Sequence, residues 1–232
     1  MKKIMKYNFR MLLTSFVNFY FPAILLVAIA TFILMSVVSS MPSEGSDIIF
    51  QRMLILMAFF VYTVGTSMML RNLVIPEKAN GRIELLLSNG FEIQPYLYSS
   101  VIVGWIVMEI ELLLIFLVPH FVSEIFLEKR IIDFYFLKMF LHISIFGLGL
   151  LSLMYYLIFR IKRISIINNL FFIIGFIAIF GGSYLSNYLP LTENSNNIFL
   201  WILNIAGIIL FLFTVIMGRE ITKEIVVLTL PD

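Results

Sequence analysis

The chain alternates long apolar runs with short polar stretches, and the apolar runs have the length of membrane-spanning helices. A spanning helix needs about 20 predominantly apolar residues. Six segments meet that requirement, at about 19–40, 53–71, 97–119, 135–159, 164–186 and 198–218. The pattern therefore predicts an all-α membrane protein with six transmembrane helices. Because neither an internal repeat nor a low-complexity linker interrupts it, we expect residues 1–232 to form a single transmembrane domain.

Composition narrows the function classes. Hydrophobic residues make up 61% of the 232 residues and charged residues only 13%, whereas a soluble domain carries about 25% charged residues. We therefore expect no separate catalytic domain outside the bilayer. The net charge of +2 is too small to indicate nucleic acid as a partner. Cysteine is absent, which excludes disulfides and thiol catalysis, and the two histidines form no metal-binding motif.

The N-terminal region is basic, and an apolar run follows it from Phe21. That run is longer than the apolar region of a signal peptide, which spans about 7–15 residues. We interpret it as an uncleaved first span. Residues 1–15 also place four cations on one arc of a helix and apolar residues on the opposite arc. Two readings remain for this segment: a helix lying in the headgroup layer of the membrane, or a basic segment that only sets the orientation.

The distribution of cations predicts the orientation of the chain. Twelve of the 16 Lys and Arg residues lie before span one, between spans two and three, between spans four and five, or after span six. Loops on the cytoplasmic side carry an excess of Lys and Arg. Both termini are therefore predicted to be cytoplasmic. The abundance of Phe, Ile and Asn is typical of an AT-rich bacterial genome, so the predicted location is a bacterial cytoplasmic membrane.

Residues 76–89 form a short charged segment between spans two and three. Pro76 suits the first turn of a helix, and Asn89-Gly90 is a helix stop signal. A helix over 76–89 would be about 20 Å long, which is too short to span a bilayer. On this helix Leu85 lies between an acidic and a basic arc, as an exposed apolar side chain. The segment is either a helix that only seals the domain or a docking surface.

The sequence over residues 77–88 reads E-x3-G-x2-E-x-L-L-S. It resembles the signature of ABC-2 type transporter permeases, which follows span two and reads roughly E-x3-G-T-x-E-x-L-L-S-x-P. The six-span layout, the cytoplasmic termini and the basic N-terminal helix are also similar to that family. Two positions depart from the pattern, because Arg82 replaces the usual Thr and Gly90 replaces the usual Pro.

The resemblance implies a transmembrane subunit of a bacterial ABC exporter, in which 76–89 is a coupling helix that docks on a separate ATPase subunit. The residues carried over to that contact are Glu77, Gly81, Glu84 and Leu85. The chain itself has no G-x4-G-K-[ST] motif for ATP, so it is predicted not to be an enzyme and to need no cofactor of its own. ATP and Mg would bind the partner ATPase.

The family pattern also implies a second permease copy, either identical or related, within the membrane lipid. An amphipathic substrate such as a peptide or toxin is the expected cargo. Other function classes stay open from the sequence. They are a non-transporting immunity or scaffold protein, a self-sufficient secondary transporter and, least favoured by the residues, an intramembrane enzyme.

Three ionisable residues fall inside predicted spans: Glu109 and Glu111 in span three and His142 in span four. Such residues are costly in a bilayer and normally face a bundle interior, a cavity or a partner. The two glutamates are two positions apart and point about 200° from each other on a helix, so they cannot form one carboxylate pair. Glu111 and His142 could pair if spans three and four are neighbours. Hydrogen bonding between helices and contact with substrate or protons both remain open.

Overall fold

The fold is known from a computed structural model that describes residues 5, 6, 10, 21–40, 46–127, 134–162, 166, 169, 173, 192–222, 224 and 226. All regular secondary structure within these residues is helical. The continuous segments contain α1 (Phe21–Ser40), α2 (Ser46–Ala79), α3 (Arg82–Ser88), α4 (Ile93–Leu127), α5 (Phe134–Arg160) and α6 (Glu193–Gly218). The prediction of an all-α protein is confirmed for this part of the chain.

Four helices in the described segments are long and apolar enough to cross a membrane: Ile48–Ser67, Ile93–Val122, Tyr135–Arg160 and Glu193–Gly218. They overlap the spans predicted at 53–71, 97–119, 135–159 and 198–218. Helix α1 coincides with the span predicted at 19–40 and contains no charged residue. The span predicted at 164–186 and the interfacial helix predicted at 1–15 fall outside the described residues, apart from isolated positions.

Helices α2 and α4 pack side by side and run antiparallel. A Cβ built on Gly104 of α4 would lie 2.8 Å from Sδ of Met69, and a Cβ built on Gly65 of α2 would lie 2.5 Å from Cε of Met108. As the chain advances along α4, its contacts therefore move backwards along α2. This arrangement brings the end of α2 and the start of α4 to one end of the bundle, where α3 connects them.

Helices α2, α5 and α6 run parallel to one another. The ring of Phe59 lies 5.0 Å from that of Phe146, and further along both helices Lys78 reaches Ile158. Between α5 and α6, contacts run in register from His142 with Trp201 to Tyr156 with Phe213. Because α5 and α6 are parallel, the last residue of α5 and the first residue of α6 lie at opposite ends of the bundle.

Glycine allows the main chains of α5 and α6 to touch. A Cβ on Gly149 would overlap the carbonyl group of Gly207, and a Cβ on Gly207 would lie 2.5 Å from Cα of Phe146. Small residues at helix interfaces permit this close approach in membrane proteins, where dispersion contacts take the place of the hydrophobic effect between helices. The two glycines therefore set the distance between α5 and α6.

The outer face of α6 carries large apolar side chains, each more than 40% exposed within the described residues. They are Ile198, Trp201, Ile202, Ile205, Ile209, Leu212, Phe213 and Ile216. A continuous apolar face of this length is unusual on a soluble monomer, whereas a bilayer covers it with acyl chains. This face and the four apolar helices are compatible with a transmembrane protein.

Candidate functional site

The segment between α2 and α4 differs from the predicted single helix over 76–89. The prediction that Pro76 opens a separate helix is wrong, because α2 continues through Pro76 to Ala79. The break comes at Gly81, whose φ of 65° is left-handed, and α3 then runs from Arg82 to Ser88. A proline inside a helix removes one i→i−4 hydrogen bond and can kink the helix without ending it, whereas a left-handed residue ends the helix.

Helix α3 has one buried and one exposed side. Ile83 and Leu87, four residues apart, are buried against the apolar core. Glu84 and Leu85 face away from it, and 62% of Leu85 is exposed. The predicted exposure of Leu85 is confirmed. Because Ile83 and Leu87 fix the rotation of the short helix, Glu84 and Leu85 are held outward together.

The end of α3 follows the predicted stop signal. The backbone N–H of Asn89 donates to the carbonyl of Leu85, and Gly90 has a φ of 83°. The side-chain amide of Asn89 donates a second hydrogen bond, of 2.7 Å, to the same carbonyl. A left-handed glycine after the last turn is a common helix C-terminus, so Asn89 and Gly90 end α3 as the sequence predicted.

Gly81 begins the segment in an open position. Only Oε2 of Glu84, at 4.0 Å, approaches the point where a Cβ would lie. The resemblance to the ABC-2 family carried Gly81 over to the contact with a partner subunit. Its left-handed conformation is sufficient reason for glycine here, and the space above it is open within the described chain.

Glu77 occupies a different environment from the one carried over from the family. Its side chain is buried, with 3% exposed, and it accepts a hydrogen bond from the hydroxyl of Tyr96 near the start of α4. A buried carboxyl group cannot form part of an exposed docking surface. In this structure Glu77 instead joins the end of α2 to the start of α4.

Lys78 is the most deeply buried cation of the described residues, with 1% exposed. The sequence pattern predicted no role for it. Its Nζ donates two hydrogen bonds of 2.6 Å, to the carbonyl oxygens of Ile158 and Ile161. Carbonyls at a helix C-terminus lack partners within the helix and carry partial negative charge. Burial lowers the pKa of the Lys78 ammonium to about 8. Lys78, a residue of α2, therefore caps the C-terminus of α5.

Glu77 and Lys78 are adjacent in sequence and reach different neighbours. Glu77 contacts α4 and Lys78 contacts α5. The last turn of α2 is thus fixed to two other helices immediately before the Gly81 turn. We name Glu77, Lys78, Tyr96 and the carbonyls of Ile158 and Ile161 the α2 junction. A displacement of α3 would act on three helices through this junction.

The glutamates of α4 both reach α2, although their positions on the helix differ by about 200°. Tyr62 donates a hydrogen bond to Oε1 of Glu109. Oε2 of Glu111 lies 3.0 Å from the position that a Cβ on Gly65 would occupy. The long side chain of Tyr62 reaches Glu109, whereas Glu111 approaches the main chain of α2 at Gly65.

Glu111 and His142 do not pair in this structure. Both carboxyl oxygens of Glu111 and Nδ1 of His142 are buried without a hydrogen-bond partner among the described residues. The imidazole ring of His142 instead meets the indole of Trp201 edge to face, with 4.8 Å between ring centroids. The conditional prediction of a Glu111–His142 pair is therefore wrong for this conformation.

A second buried polar cluster lies at the opposite end of the bundle. The sequence pattern did not predict it. Arg52 of α2 donates from Nη2 to Oγ of Ser195, at 2.6 Å, and from Nε to the side chain of Asn196. Asn196 donates in turn to the carbonyl of Ile48, at 3.1 Å. These bonds attach the start of α6 to the start of α2. The separation of 143 residues between Arg52 and Ser195 explains why sequence spacing gave no signal.

No group of three His, Asp or Glu side chains in the described residues is arranged to hold a metal ion. Comparison of the chain with protein-family models, with curated proteins and with solved structures gives no match. Functional assignment therefore rests on the motif at 77–88 and on the geometry described above.

Proposed function

We propose that this chain is the permease subunit of an ATP-driven exporter similar to the ABC-2 type. It would move an amphipathic substrate, with a peptide or toxin as the favoured class, out of a bacterial cell. ATP and Mg would bind a separate ATPase subunit, and a second permease copy would complete the pathway. The proposal starts from the E-x3-G-x2-E-x-L-L-S pattern over residues 77–88.

One structural observation carries the proposal furthest. Helix α3 presents Glu84 and Leu85 outward while Ile83 and Leu87 are anchored in the core. Exposed leucine beside a carboxylate offers a partner both apolar area and a charge. The partner surface that fits is a groove with an apolar floor and a cationic rim. We assign Glu84 and Leu85 to the ATPase contact.

Transmission of force from this contact depends on the α2 junction. A partner that moves α3 would pull on the last turn of α2 through the Gly81 turn. The turn is short, so little motion can be absorbed between α3 and α2. Glu77 and Lys78 would pass the displacement to α4 and α5. In this proposal Glu77 acts as a positioning residue and makes no contact with the ATPase.

The six-span arrangement belongs to the same proposal. Parallel α5 and α6 require the intervening chain to lead from one end of the bundle to the other. A fifth span at 164–186 would meet this requirement, since about 23 helical residues extend about 35 Å. With the excess of Lys and Arg on one side, six spans would place α3 and both termini in the cytoplasm.

Co-purification from the source cell tests the proposal. We expect the full-length chain, extracted in mild detergent, to retain an ATP-hydrolysing subunit. Leu85→Asp should lose that subunit because a charge replaces the exposed apolar contact. Ile125→Asp is the matched control, because Ile125 is also an exposed apolar residue, with 71% exposed, and lies at the other end of α4.

Two results would contradict the proposal. One is a wild-type chain that yields no ATPase under conditions in which it remains folded. The other is equal ATPase recovery with wild type and Leu85→Asp. A scaffold protein or a secondary transporter predicts the first result.

A further inference from the structure

The carboxyl group of Glu111, on α4, is buried where α4 packs against α2. Glu111 lies within the candidate span Ile93–Val122, and only 4% of the residue is exposed. Neither carboxyl oxygen has a hydrogen-bond partner among the described residues. Glu109 differs, because it is only partly buried and accepts from Tyr62. The two glutamates of α4 therefore have different chemical environments.

The position of Glu111 depends on the absence of a side chain at Gly65. Oε2 of Glu111 lies 3.0 Å from the position of a Cβ on Gly65, and Cε of Met108 lies 2.5 Å from it. The carboxyl group thus occupies the space that glycine leaves on α2. The hydroxyl of Thr66, the next residue of α2, is also buried without a hydrogen-bond partner in the described part of the chain. A polar group has therefore been enclosed at the α2–α4 contact.

No cation in the described residues neutralises this carboxyl group. Helix α1, which also packs on α4, contains no ionisable residue. On α2, Tyr62 interacts electrostatically with Glu111, and on α4, Glu109 lies two residues away; neither group can carry positive charge. On α5, Lys138 donates to Asn197 and His142 lies against Trp201. The cationic side chain of Arg52 is bonded to α6.

An isolated carboxylate in such surroundings is strongly unfavourable, even after relaxation of the protein. The neutral acid avoids most of this cost, since burial disfavours only the charged form strongly. For a buried carboxyl group without a cation, binding a proton is the available solution. Ionisation would require α2 and α4 to separate enough to admit water.

We propose that Glu111 is a proton-binding site whose occupancy is coupled to the packing of α2 on α4. With the helices packed as described, the carboxyl group holds a proton. When α2 moves away from α4, water reaches the group, the O–H bond breaks, and the proton passes to water. Closure of the two helices takes a proton back from water. The membrane domain then exchanges one proton with its surroundings in each opening and closing.

This inference is independent of the proposed function, because it concerns the α2–α4 contact and no ATPase. The inference and the proposed function both involve helix α2. Helix α2 carries Gly65 at the proton site and Glu77 and Lys78 at the α2 junction. A movement of α2 driven from α3 would therefore also change the surroundings of Glu111.

Infrared difference spectroscopy of the full-length protein in lipid bilayers tests the inference. The C=O stretching band of a protonated carboxyl group is separate from that of a carboxylate. We expect a band of this kind at neutral pH that is lost in Glu111→Gln and kept in Glu109→Gln. If Glu111→Gln does not fold, Glu111→Asp keeps a carboxyl group in a changed position and should shift the band. The inference would be overturned if the wild type shows no such band at neutral pH, or if substitution of Glu111 leaves the band unchanged.

The coupling to helix packing has its own test. Gly65→Ala places a methyl group where Met108 and Glu111 now lie and should hold α2 away from α4. The Glu111 band should then disappear at a lower pH than in wild type, because water stabilises the carboxylate. Gly218→Ala on α6 is the control, since no atom of the described chain lies within 4 Å of the added methyl group and the α2–α4 contact is left unchanged. Equal titration of the band in wild type and Gly65→Ala would overturn the coupling.

Discussion

The ammonium group of Lys78 in the last turn of α2 lies 2.6 Å from the carbonyl oxygen of Ile158 near the end of α5. A second bond of equal length joins it to the carbonyl of Ile161. A single side chain thus satisfies two carbonyls that the C-terminus of α5 leaves without intrahelical partners. The contact joins positions 80 and 83 residues apart, so it holds together helices that are distant in the chain.

Lys78→Met should destabilise the folded protein. The apolar side chain fills most of the volume but leaves two carbonyls without a donor, and a buried group without its partner costs about 1–3 kcal/mol. We expect a lower midpoint of thermal unfolding in detergent. Arg82→Met, at an exposed position four residues along the chain, should change the midpoint much less. Equal midpoints for wild type and Lys78→Met would contradict the assigned role.

The cost of Lys78→Met should depend on pH. The pKa of Lys78 is about 8 in the folded protein and 10.5 as its ordinary value. Between these values the unfolded chain binds more protons than the folded chain, so wild-type stability rises with pH. The stability difference between wild type and Lys78→Met should therefore be smallest below pH 8 and widen up to about pH 10.5. Denaturant titrations of both proteins across this range measure it, and a constant difference would refute it.

Tyr96→Phe should destabilise the α2 junction, because the buried carboxyl group of Glu77 loses its donor. The expected loss is about 1–3 kcal/mol. Replacing both partners, in Tyr96→Phe with Glu77→Met, should recover part of this loss, since no polar group then remains unpaired. Tyr98→Phe, two residues away and only partly buried, is the control. Additive effects of the two substitutions in unfolding experiments would argue against a direct interaction.

Glu84→Lys should leave the chain in the membrane and uncouple transport from ATP hydrolysis. The substitution reverses the exposed charge beside Leu85 without entering the core. Proteoliposomes that contain the chain and its ATPase should show reduced substrate-stimulated hydrolysis and reduced transport. Glu193→Lys reverses an exposed charge at the far end of the bundle and should preserve both activities. Unchanged coupling in Glu84→Lys would remove Glu84 from the proposed contact.

The orientation of α3 can be read by thiol labelling, because the chain contains no natural cysteine. In the proposed topology a membrane-impermeant maleimide should label Leu85→Cys only after the cytoplasmic side is opened. Ile125→Cys, exposed at the other end of α4, should be labelled in intact cells. Labelling of Leu85→Cys in intact cells would place α3 outside and exclude the ATPase contact.

Apolar runs predicted the positions of the long helices well. The spans predicted at 97–119 and 135–159 lie within α4 and α5, because the length of an apolar run and the need to satisfy backbone hydrogen bonds leave few alternatives in a bilayer. The helix ends were less predictable. Helix α2 extends beyond the predicted span 53–71 to Ala79, since a helix need not stop where its residues become polar.

Local patterns also predicted the outward side chain of Leu85 and the end of α3 at Asn89 and Gly90. They could not predict the burial of Glu77 or the role of Lys78. Both depend on α4 and α5, whose placement beside the end of α2 is a tertiary property. The same limit applies to Glu111, where the decisive neighbour is a glycine 46 positions earlier that has no side chain to interpret.

The contact between Gly149 and Gly207 constrains how relatives of this chain can diverge. Each position faces the main chain of the other helix, where no atom can rotate away. Substitution at one site cannot be offset by trimming its neighbour, because the neighbour is already glycine or backbone. A homologue with alanine at either position must hold the helices that correspond to α5 and α6 farther apart. It must also carry larger side chains nearby to fill the gap. Paired glycines at these two sites, rather than overall identity, would mark chains that share this helix spacing.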